Sequence, residues 1–463
     1  MSLTDLGARV AHDLDCLGFG EADWLAPRRQ AGAPMVDVAI VGGGQSGLGA
    51  AFGLLRERIA NLVVLDENPA GYEGPWDTYA RMATLRTPKH LGSIEMGVAS
   101  LSFRAWWEAQ HGAAGWEALG KIPRREWMAY LRWYRAVLRL PVRNDARVTL
   151  VEPIEGGHRL HLAGGETLLA RKVVLATGIQ GGGHWHTPPM VAEALGRHRY
   201  AHTADAIDYA ALADKRIAIL GGGASAFDNA HAALSAGVAA AHVFMRRAEL
   251  PRINPIRFME RAGIIPRYPV LDDAAKYALM AAFFRHNQPP TVDMFEAAAA
   301  FPGFDLHLGS PWLSVEETGS AVRVTTPHGT FDYDFLVLST GLVTDPALRP
   351  ELALVQDRIA RWADRYRAPE PHPLLDAHPY LGPGFELLPR DPADPSLHGL
   401  FAFNYSALIS LGLSASAISG LKHALPRLVG GVADQLFLDD KAEILADFHA
   451  FAEPEFTVEW PPA

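Results

Sequence analysis

The sequence is poor in cysteine, in positive charge and in long apolar runs. Cys16 is the one cysteine among 463 residues, which excludes an intramolecular disulfide, a cysteine-based zinc site and a redox-active dithiol. The 42 Lys and Arg residues are outnumbered by 52 Asp and Glu residues, so no overall positive field favours nucleic acid or an anionic membrane. The 19 histidines show no HExxH or similar ligand spacing, so we expect no metal site.

The sequence also has no stretch with the pattern of a targeting segment or of a membrane span. The first 30 residues contain several acids and no basic cluster followed by an apolar core, so we expect no signal peptide. The most apolar stretches are shorter than the ~18 consecutive residues of a membrane span. We therefore expect a cytoplasmic protein of about three domain-sized units, without a nucleic-acid or membrane partner.

A glycine-rich turn follows an apolar run near the N-terminus. Residues 36–41 are mostly β-branched, residues 42–47 read GGGQSG, and small apolar residues at helical spacing follow. This context is that of a dinucleotide-binding fingerprint, whose glycines permit a tight turn and the close approach of backbone N–H groups to a pyrophosphate. A second strand at 62–65 ends at an acid, which suits the ribose hydroxyls. The predicted contacts are Gly42, Gly44, Gln45, Ser46, Gly47, Asp66 and Glu67.

The same pattern recurs in the middle of the chain. A strand at 216–220 leads into GGGASA at 221–226 and then a helix, and Ala in the third position is an accepted variant. The next strand, 241–245, ends in two arginines, whose guanidinium groups suit the 2′-phosphate of NADPH; arginines on a solvated strand end are the alternative. The predicted contacts are Gly221, Gly223, Ala224, Ser225, Ala226, Arg246 and Arg247.

Two different dinucleotide sites imply two cofactors that exchange electrons. The acid after the first fingerprint favours FAD, the arginines after the second favour NADPH, and hydride transfer from NADPH to flavin is the implied reaction. Two apolar strands, ending at Thr177-Gly178 and Thr340-Gly341, bracket the second fingerprint. We interpret them as the crossings where the chain leaves the first module and returns to it, and we count these four residues among the cofactor contacts.

The predicted fold is α/β, with two Rossmann-like dinucleotide-binding domains and the NADPH domain inserted in the FAD domain. An amphipathic pattern predicts a helix over 123–138 with Trp127, Tyr130 and Tyr134 on its buried face. The predicted segments are an N-terminal extension (1–34), the first part of the FAD domain (35–180), the NADPH domain (181–341) with a helical insertion at about 270–300, and the FAD return segment with C-terminal helices (342–463). The insertion suits either a lid or a dimer contact.

The order of these motifs resembles the class B-like flavin-dependent monooxygenases, which include the flavin-containing, N-hydroxylating and Baeyer–Villiger enzymes. Residues 73–79, EGPWDTY, look like the Gly-x-Trp stretch beside the flavin ring, and residues 84–89, TLRTPK, are similar to a Pro-Lys segment of plant auxin-forming members. The resemblance implies that reduced FAD takes up oxygen as a C4a-(hydro)peroxide and transfers one oxygen atom to a small organic substrate.

Two departures from the family pattern narrow the expected chemistry. Many members of the class carry a Phe-x-Gly-x-x-x-His signature between the two modules. Here residues 194–203, ALGRHRYAHT, keep only His202 and Thr203 of it. This departure argues against the prediction of Baeyer–Villiger oxidation and favours N- or S-oxygenation. Arg86 replaces an active-site Asn of many flavin-containing members. Baeyer–Villiger oxidation of a ketone, an NAD(P)H oxidase and a non-catalytic flavin-binding redox sensor stay as alternatives, and the oligomeric state stays open.

The candidate catalytic residues are Trp76, Arg86, Lys89 and Asn404. Trp76 would shield the flavin ring from water, and Arg86 and Lys89 would bring positive charge to reduced flavin or to the NADP phosphates. In the flavoproteins that the chain resembles, the returning chain starts a helix whose N–H groups face the flavin, and the resemblance places Asn404 just before that helix. Each candidate has a structural alternative, as a core tryptophan, a surface cation or a turn residue.

Overall fold

The structure, a computed structural model, describes residues 2–458. The α-helices are α1 (Leu3–Asp15), α2 (Gln45–Arg56), α3 (Phe103–Ala118), α4 (Arg124–Val137), α5 (Pro189–Ala194), α6 (Ala224–Ser235), α7 (Pro255–Arg261), α8 (Ile264–Arg267), α9 (Asp273–His286), α10 (Val292–Ala299), α11 (Trp362–Arg365), α12 (Pro373–Asp376), α13 (Leu408–Leu411) and α14 (Ile418–Ala450). Within the described range, no helix combines the length and the apolar character that crossing a bilayer requires.

The strands alternate with these helices along the chain. They are β1 (Arg29–Gln30), β2 (Ala33–Pro34), β3 (Val36–Val41), β4 (Leu62–Leu65), β5 (Val142–Arg143), β6 (Val148–Ile154), β7 (Gly157–Leu162), β8 (Thr167–Leu175), β9 (Gly183–Trp185), β10 (Tyr200–His202), β11 (Arg216–Leu220), β12 (Ala240–Phe244), β13 (Phe304–His307), β14 (Ser314–Thr318), β15 (Ala321–Thr326), β16 (Gly329–Tyr333), β17 (Phe335–Leu338), β18 (Leu342–Thr344) and β19 (Leu400–Phe401).

The first sheet is built around β3. It pairs in parallel with β4 and β8, β4 pairs with β5, and β8 pairs with β19. The amino-terminal half of β8 pairs antiparallel with β7, which pairs with β6. Val38, Ala39 and Ile40 are completely buried, as expected for a parallel strand covered on both faces.

The second sheet is parallel throughout, in the order β10-β17-β11-β12-β13. Helices α6 and α10 pack together beside this sheet, and the antiparallel meander β14-β15-β16 shares a separate apolar core with it. Its strands come from residues 200–338, between β8 and β19 of the first sheet. The predicted α/β class with two dinucleotide-binding modules is confirmed.

Helix α2 packs against α14 through small residues. A Cβ atom added to Gly49 would lie 2.7 Å from Leu425, and one added to Gly53 would lie 2.5 Å from Val429. These glycines therefore let the two helix backbones approach closely. The small apolar residues after the first fingerprint thus serve packing as well as the turn.

Two sequence expectations about helices can be compared with the structure. The predicted helix at 123–138 is confirmed as α4, with Pro123 at its N-cap and with Trp127, Tyr130 and Tyr134 buried. The predicted insertion is helical and forms α9 and α10. Helix α9 contacts α12 and α13, whereas α10 contacts α6, so the insertion packs against two different cores.

Candidate active site

Two positions of the first glycine turn accept only glycine. Gly42 has φ +108° and a Cβ there would lie 2.5 Å from the carbonyl oxygen of Ala176; a Cβ on Gly47 would lie 1.8 Å from the oxygen of Gly42. Gly44 is the N-cap of α2, and the nearest atom to a Cβ there lies 3.7 Å away. The N-terminus of α2 therefore presents open backbone N–H groups, which fit the pyrophosphate of FAD.

The side chains of the next two residues have structural partners. Trp127 Nε1 donates to Gln45 Oε1 over 3.0 Å, and Ser46 Oγ donates to the carbonyl oxygen of Ala415 over 3.1 Å. Both side chains are therefore tied to neighbouring segments, and the backbone N–H groups of Gln45 and Ser46 face the open side of the turn. These bonds also connect α2 to α4 and to the segment before α14.

The two acids after β4 have different surroundings. The carboxylate of Asp66 accepts hydrogen bonds from the N–H groups of Gly43, over 2.7 Å, and Asn68, over 2.8 Å. Burial raises the pKa of Asp66, although these N–H groups oppose the shift. Glu67 is about half exposed, and its carboxylate lies 3.6 Å from Arg147. Asp66 thus lies at the turn, and Glu67 lies outside it.

The second glycine turn repeats the first. Gly221 has φ +134°, and a Cβ there would lie 2.2 Å from the carbonyl oxygen of Ser339. Gly223 is the N-cap of α6, whose first residues are Ala224 and Ser225, and a Cβ on Gly223 would meet no atom within 4 Å. Ala226 is completely buried. This turn has free space for the pyrophosphate of a second dinucleotide.

Arg246 and Arg247 lie on the loop after β12. The preceding Met245 touches the second turn, since a Cβ on Gly222 would lie 2.9 Å from Met245 Cε. Arg246 is exposed, and Nη2 of Arg247 donates to the carbonyl oxygen of Arg285 over 3.1 Å. The loop that carries both arginines therefore begins beside the second glycine turn.

Asn404 connects the two passes of the chain through the first module. Its Nδ2 donates to the carbonyl oxygen of Leu175 and to Oγ1 of Thr177, both over 3.2 Å. Its Oδ1 accepts from the N–H and the hydroxyl of Ser406, and its backbone bridges to Gly178. Asn404 thus fixes the loop after β8 against the returning chain.

The second crossing, at Thr340-Gly341 after β17, is also fixed by a hydrogen bond to a distant segment. The hydroxyl of Thr340 donates to the carbonyl oxygen of His186, and Gly341 has φ +81°. Strand β18 begins directly after Gly341, and it pairs with β9, which follows the first crossing. The predicted crossing residues therefore lie where both chain segments pass between the two sheets.

Trp76 is a buried side chain with a free donor. It is 9% exposed, and its Nε1 has no hydrogen-bond partner among the described residues. It lies two residues after Gly74, whose Cα faces Gly44 of the first turn. A buried, unpartnered N–H is costly, so this atom fits a site that a bound cofactor or substrate would complete.

Arg86 links the two modules. Its guanidinium donates to the carboxylate of Asp228 in α6, and its carbonyl oxygen accepts from Nη2 of Arg257 over 2.7 Å. Burial raises the pKa of Asp228, and Arg86 opposes that shift. Oδ1 of Asp228 is buried and has no partner among the described residues.

Lys89 contacts the C-terminal end of α3. Its Nζ donates to the carbonyl oxygens of Trp116 and Leu119 and lies 4.7 Å from the centre of the Trp116 ring. Lys89 therefore satisfies carbonyl groups at the C-terminal end of α3. Its role at the flavin stays a prediction, as do the roles of the other candidates.

Sequence reasoning missed Arg81. Its guanidinium donates to the carbonyl oxygens of Tyr79, Thr203 and Asp205, and burial lowers its pKa. It thus joins the segment that carries Trp76 to the chain after β10. A sequence does not show which backbone carbonyl groups a side chain will contact. The one signal for Arg81 is its position between residues 73–79 and 84–89, both of which match family segments.

His202 ends β10 beside Trp185. The two rings are stacked with centres 5.0 Å apart, Nδ1 accepts from the N–H of Ala204 over 3.1 Å, and Nε2 has no partner within the described range. Burial lowers the pKa of His202 to about 4. The residue is therefore neutral, with a free N–H at the carboxyl edge of the second sheet.

Comparisons with known proteins agree with this geometry. Residues 39–180 match the FAD-NAD(P)-binding family, and residues 117–263 match the L-lysine 6-monooxygenase/L-ornithine 5-monooxygenase family. A FAD-dependent urate hydroxylase from Xanthomonas campestris pv. campestris is 62% identical over 466 residues, which cover 100% of this chain and 98% of that protein.

Solved structures share the fold at low sequence identity. The ornithine hydroxylase of Pseudomonas aeruginosa superposes with a TM-score of 0.69 and 18% identity, over 87% of this chain and 100% of the other. The L-lysine 6-monooxygenase of Pseudomonas syringae superposes with a TM-score of 0.67 and 19% identity, over 86% of this chain and 99% of the other. The predicted monooxygenase activity and the predicted cofactors, FAD and NADPH, are confirmed at the family level. The chain belongs to the FAD-dependent urate hydroxylase family of flavoprotein monooxygenases.

Proposed function

We propose that this protein hydroxylates urate. The observation that carries the proposal is the 62% identity, along the whole chain, to a FAD-dependent urate hydroxylase. In the overall reaction, urate, NADPH, a proton and O2 give hydroxylated urate, NADP⁺ and water. One oxygen atom enters the new hydroxyl group, and the two electrons of NADPH reduce the other atom to water. When bound, FAD accepts the hydride and brings these electrons to O2.

The two glycine turns support the assignment of the cofactors to sites. The backbone of Gly44, Gln45 and Ser46 would hold the FAD pyrophosphate, with Asp66 beside it for the ribose. The backbone of Gly223 and Ala224 would hold the NADPH pyrophosphate. Both turns leave the space that this requires, because a Cβ on either N-cap glycine meets no atom closer than 3.7 Å.

Arg86 and Arg81 act as positioning residues in this proposal. Each guanidinium belongs to the FAD module and is bonded to a group of the NADPH module. Hydride transfer requires the nicotinamide and the flavin to meet within contact distance, and small misplacements are costly. These contacts hold the two modules in one arrangement. Asn404 similarly positions Thr177 and does not need to touch the substrate.

Trp76 is proposed to contact the flavin or the substrate. Its indole is nearly buried and would keep water from the reacting atoms, and its free Nε1–H can donate a hydrogen bond. Urate is planar and has several carbonyl acceptors. A site that donates to such a carbonyl discriminates strongly against analogues that lack it.

N-oxygenation of an amine is the second candidate. It is favoured by the match of residues 117–263 to the lysine and ornithine monooxygenase family. The sequence favours S-oxygenation equally, and the contacts of the candidate residues do not distinguish N-oxygenation from S-oxygenation. An amine and a sulfide therefore belong in the same substrate panel as urate.

The test is product analysis with isotopically labelled O2. We expect urate to accelerate NADPH oxidation and to gain one labelled oxygen atom, detected by mass spectrometry. Xanthine, which lacks one carbonyl of urate, is the matched substrate control and should give a much smaller response. Labelled product from ornithine, lysine or a sulfide, but none from urate, would reject the proposal in favour of N- or S-oxygenation.

A further inference from the structure

Three side chains that commonly bind metals lie together at the edge of the second sheet. They are His242 of β12 and Asp305 and His307 of β13, and their ligand atoms all lie within 4.8 Å of one another. His242 is directly opposite Asp305 in the parallel pairing. Because side chains alternate along a strand, Asp305 and His307 point to the same face.

We propose that His242, Asp305 and His307 bind a divalent transition-metal ion, with Zn²⁺ as the representative. Two imidazoles and one carboxylate form a ligand set that such ions prefer, with a water in the remaining position. The sequence predicts no metal, because its histidines show no HExxH or similar ligand spacing, and His242 is far from the other two ligands along the chain. Strand pairing brings them together.

His307 has an unsatisfied nitrogen at this site. Its Nε2 is buried and has no hydrogen-bond partner in the described part of the chain, although Oδ2 of Asp305 lies 3.3 Å away. The ring is held in place by stacking on Phe244, with centres 4.2 Å apart and planes 3° from parallel. Leaving such a nitrogen unpaired is unfavourable, and a bound ion would satisfy it together with the carboxylate.

His242 is oriented by a neighbour in the manner of a metal ligand. Its Nδ1 lies 2.9 Å from the hydroxyl of Tyr333 on the meander, and this contact leaves Nε2 for an ion. A hydrogen bond from the second ring nitrogen is the usual support of a metal-binding histidine. Tyr333 is itself 1% exposed, so its hydroxyl is rigidly placed.

The spacing of the ligands requires only small movements. Metal bonds of about 2.0–2.2 Å place tetrahedral ligand atoms about 3.4 Å apart, so the side chains must close by roughly 1 Å. The side chain of Asp305 is 57% exposed, which leaves it free to rotate and leaves an entry path for the ion.

The site adjoins the loop that carries the two arginines. The N–H of Met245 donates to the carbonyl oxygen of His307 over 3.1 Å, and the N–H of Gly309 donates to that of Arg247 over 2.8 Å. A metal bound here would therefore join the edge strand β13 to β12, the strand that leads into this loop.

Metal content of the untagged, FAD-loaded enzyme tests the proposal. After equilibration with Zn²⁺ and removal of free metal, elemental analysis should show one zinc per chain more in the wild type than in His242→Gln or His307→Gln. His231→Gln, on α6 of the same module, is the matched control and should keep the full zinc content. Equal zinc in all four proteins, or none in the wild type, would overturn the proposal.

A second variant separates metal binding from folding. Asp305→Asn changes an exposed side chain, so its FAD content and its melting temperature without zinc should match the wild type. Zinc should raise the melting temperature of the wild type and of His231→Gln, because it binds only the folded state. The same rise in Asp305→Asn would contradict a site built on this carboxylate.

Discussion

Arg86 and Asp228 illustrate how a buried charge depends on a partner from another module. The side chain of Asp228 is 5% exposed and that of Arg86 is 29% exposed. Removing one partner of a buried pair leaves an uncompensated charge, which costs about 3–5 kcal/mol. The buried carboxylate of Asp228 in α6 therefore depends on Arg86 of the FAD module for its compensating charge.

Arg86→Ala is expected to lower the free energy of unfolding by about 3 kcal/mol, because it leaves the carboxylate of Asp228 buried without a cation. Adding Asp228→Ala should restore much of this loss, since no charge is then buried. Denaturant unfolding of the wild type, both single variants and the double variant measures the coupling.

The control for this cycle is a pair of exposed groups. Arg143 and Glu166 form an ion pair with side chains 44% and 50% exposed, and Arg143→Ala should leave the unfolding midpoint unchanged. If the two losses at Arg86 and Asp228 simply add, the pair is not coupled and the argument for a buried partner is wrong.

Arg246 and Arg247 allow a second prediction at the residue scale. Replacing both with Ala should raise the KM for NADPH about 10-fold or more and change the KM for NADH little, because only NADPH carries the 2′-phosphate. Steady-state kinetics with both nucleotides measures the difference. Arg323→Ala, on the meander of the same module, should change neither KM, and equal effects on the two nucleotides would exclude the phosphate contact.

At the scale of elements, the two modules repeat one construction: a buried strand, a glycine turn and a helix whose N-cap is glycine. The turns were predictable from sequence because their requirement is local. Gly42 and Gly221 have positive φ, a backbone conformation that favours glycine whatever lies around it. The helix α4 was predictable for a similar reason, since its buried stripe is visible in the helical period.

Gly223→Ala tests the second turn. A Cβ there meets no protein atom within 4 Å, so folding and FAD content should be unchanged. The methyl group would occupy the space through which a pyrophosphate approaches, so the KM for NADPH should rise about 10-fold. Gly164→Ala, in a surface turn with equal space, is the control. An unchanged KM for NADPH in Gly223→Ala would place the pyrophosphate elsewhere.

The candidate catalytic residues were less predictable than the turns. Lys89 donates to carbonyl groups at the C-terminal end of α3, Asn404 joins two chain passes, and Arg86 pairs with a residue 142 positions away. The sequence marks these residues as charged or polar, but their partners are backbone carbonyls or side chains of distant segments. Such partners follow no spacing rule, so a residue type alone does not separate support from chemistry.

For the whole molecule, buried histidines predict sensitivity to acid. Burial lowers the pKa of His158, His202 and His378 to about 4, whereas the unfolded chain has a histidine pKa of about 6.5. Between these values the unfolded state binds more protons. The stability that these groups provide is therefore complete above about pH 6.5 and is lost as the pH falls toward about 4.

His378→Gln should reduce this pH dependence. The imidazole is 1% exposed, and its Nδ1 donates to the carbonyl oxygen of Leu374 over 2.7 Å. Between about pH 7 and about pH 5, the loss of free energy of unfolding should be about 2 kcal/mol smaller in the variant than in the wild type. Urea unfolding at both pH values measures it. Replacing the exposed His90 with Gln should not change the slope, and an unchanged slope in His378→Gln would refute the assignment.

The sequence by itself determined the two nucleotide turns, the α/β class and the order of the modules, because glycine geometry and apolar periodicity act over a few neighbouring residues. Only the tertiary structure decided which polar residues meet. Arg86 with Asp228, Arg81 with the chain after β10, and His242 with His307 are brought together by strand order and by packing between modules. These contacts depend on the relative placement of distant segments, which no local pattern encodes.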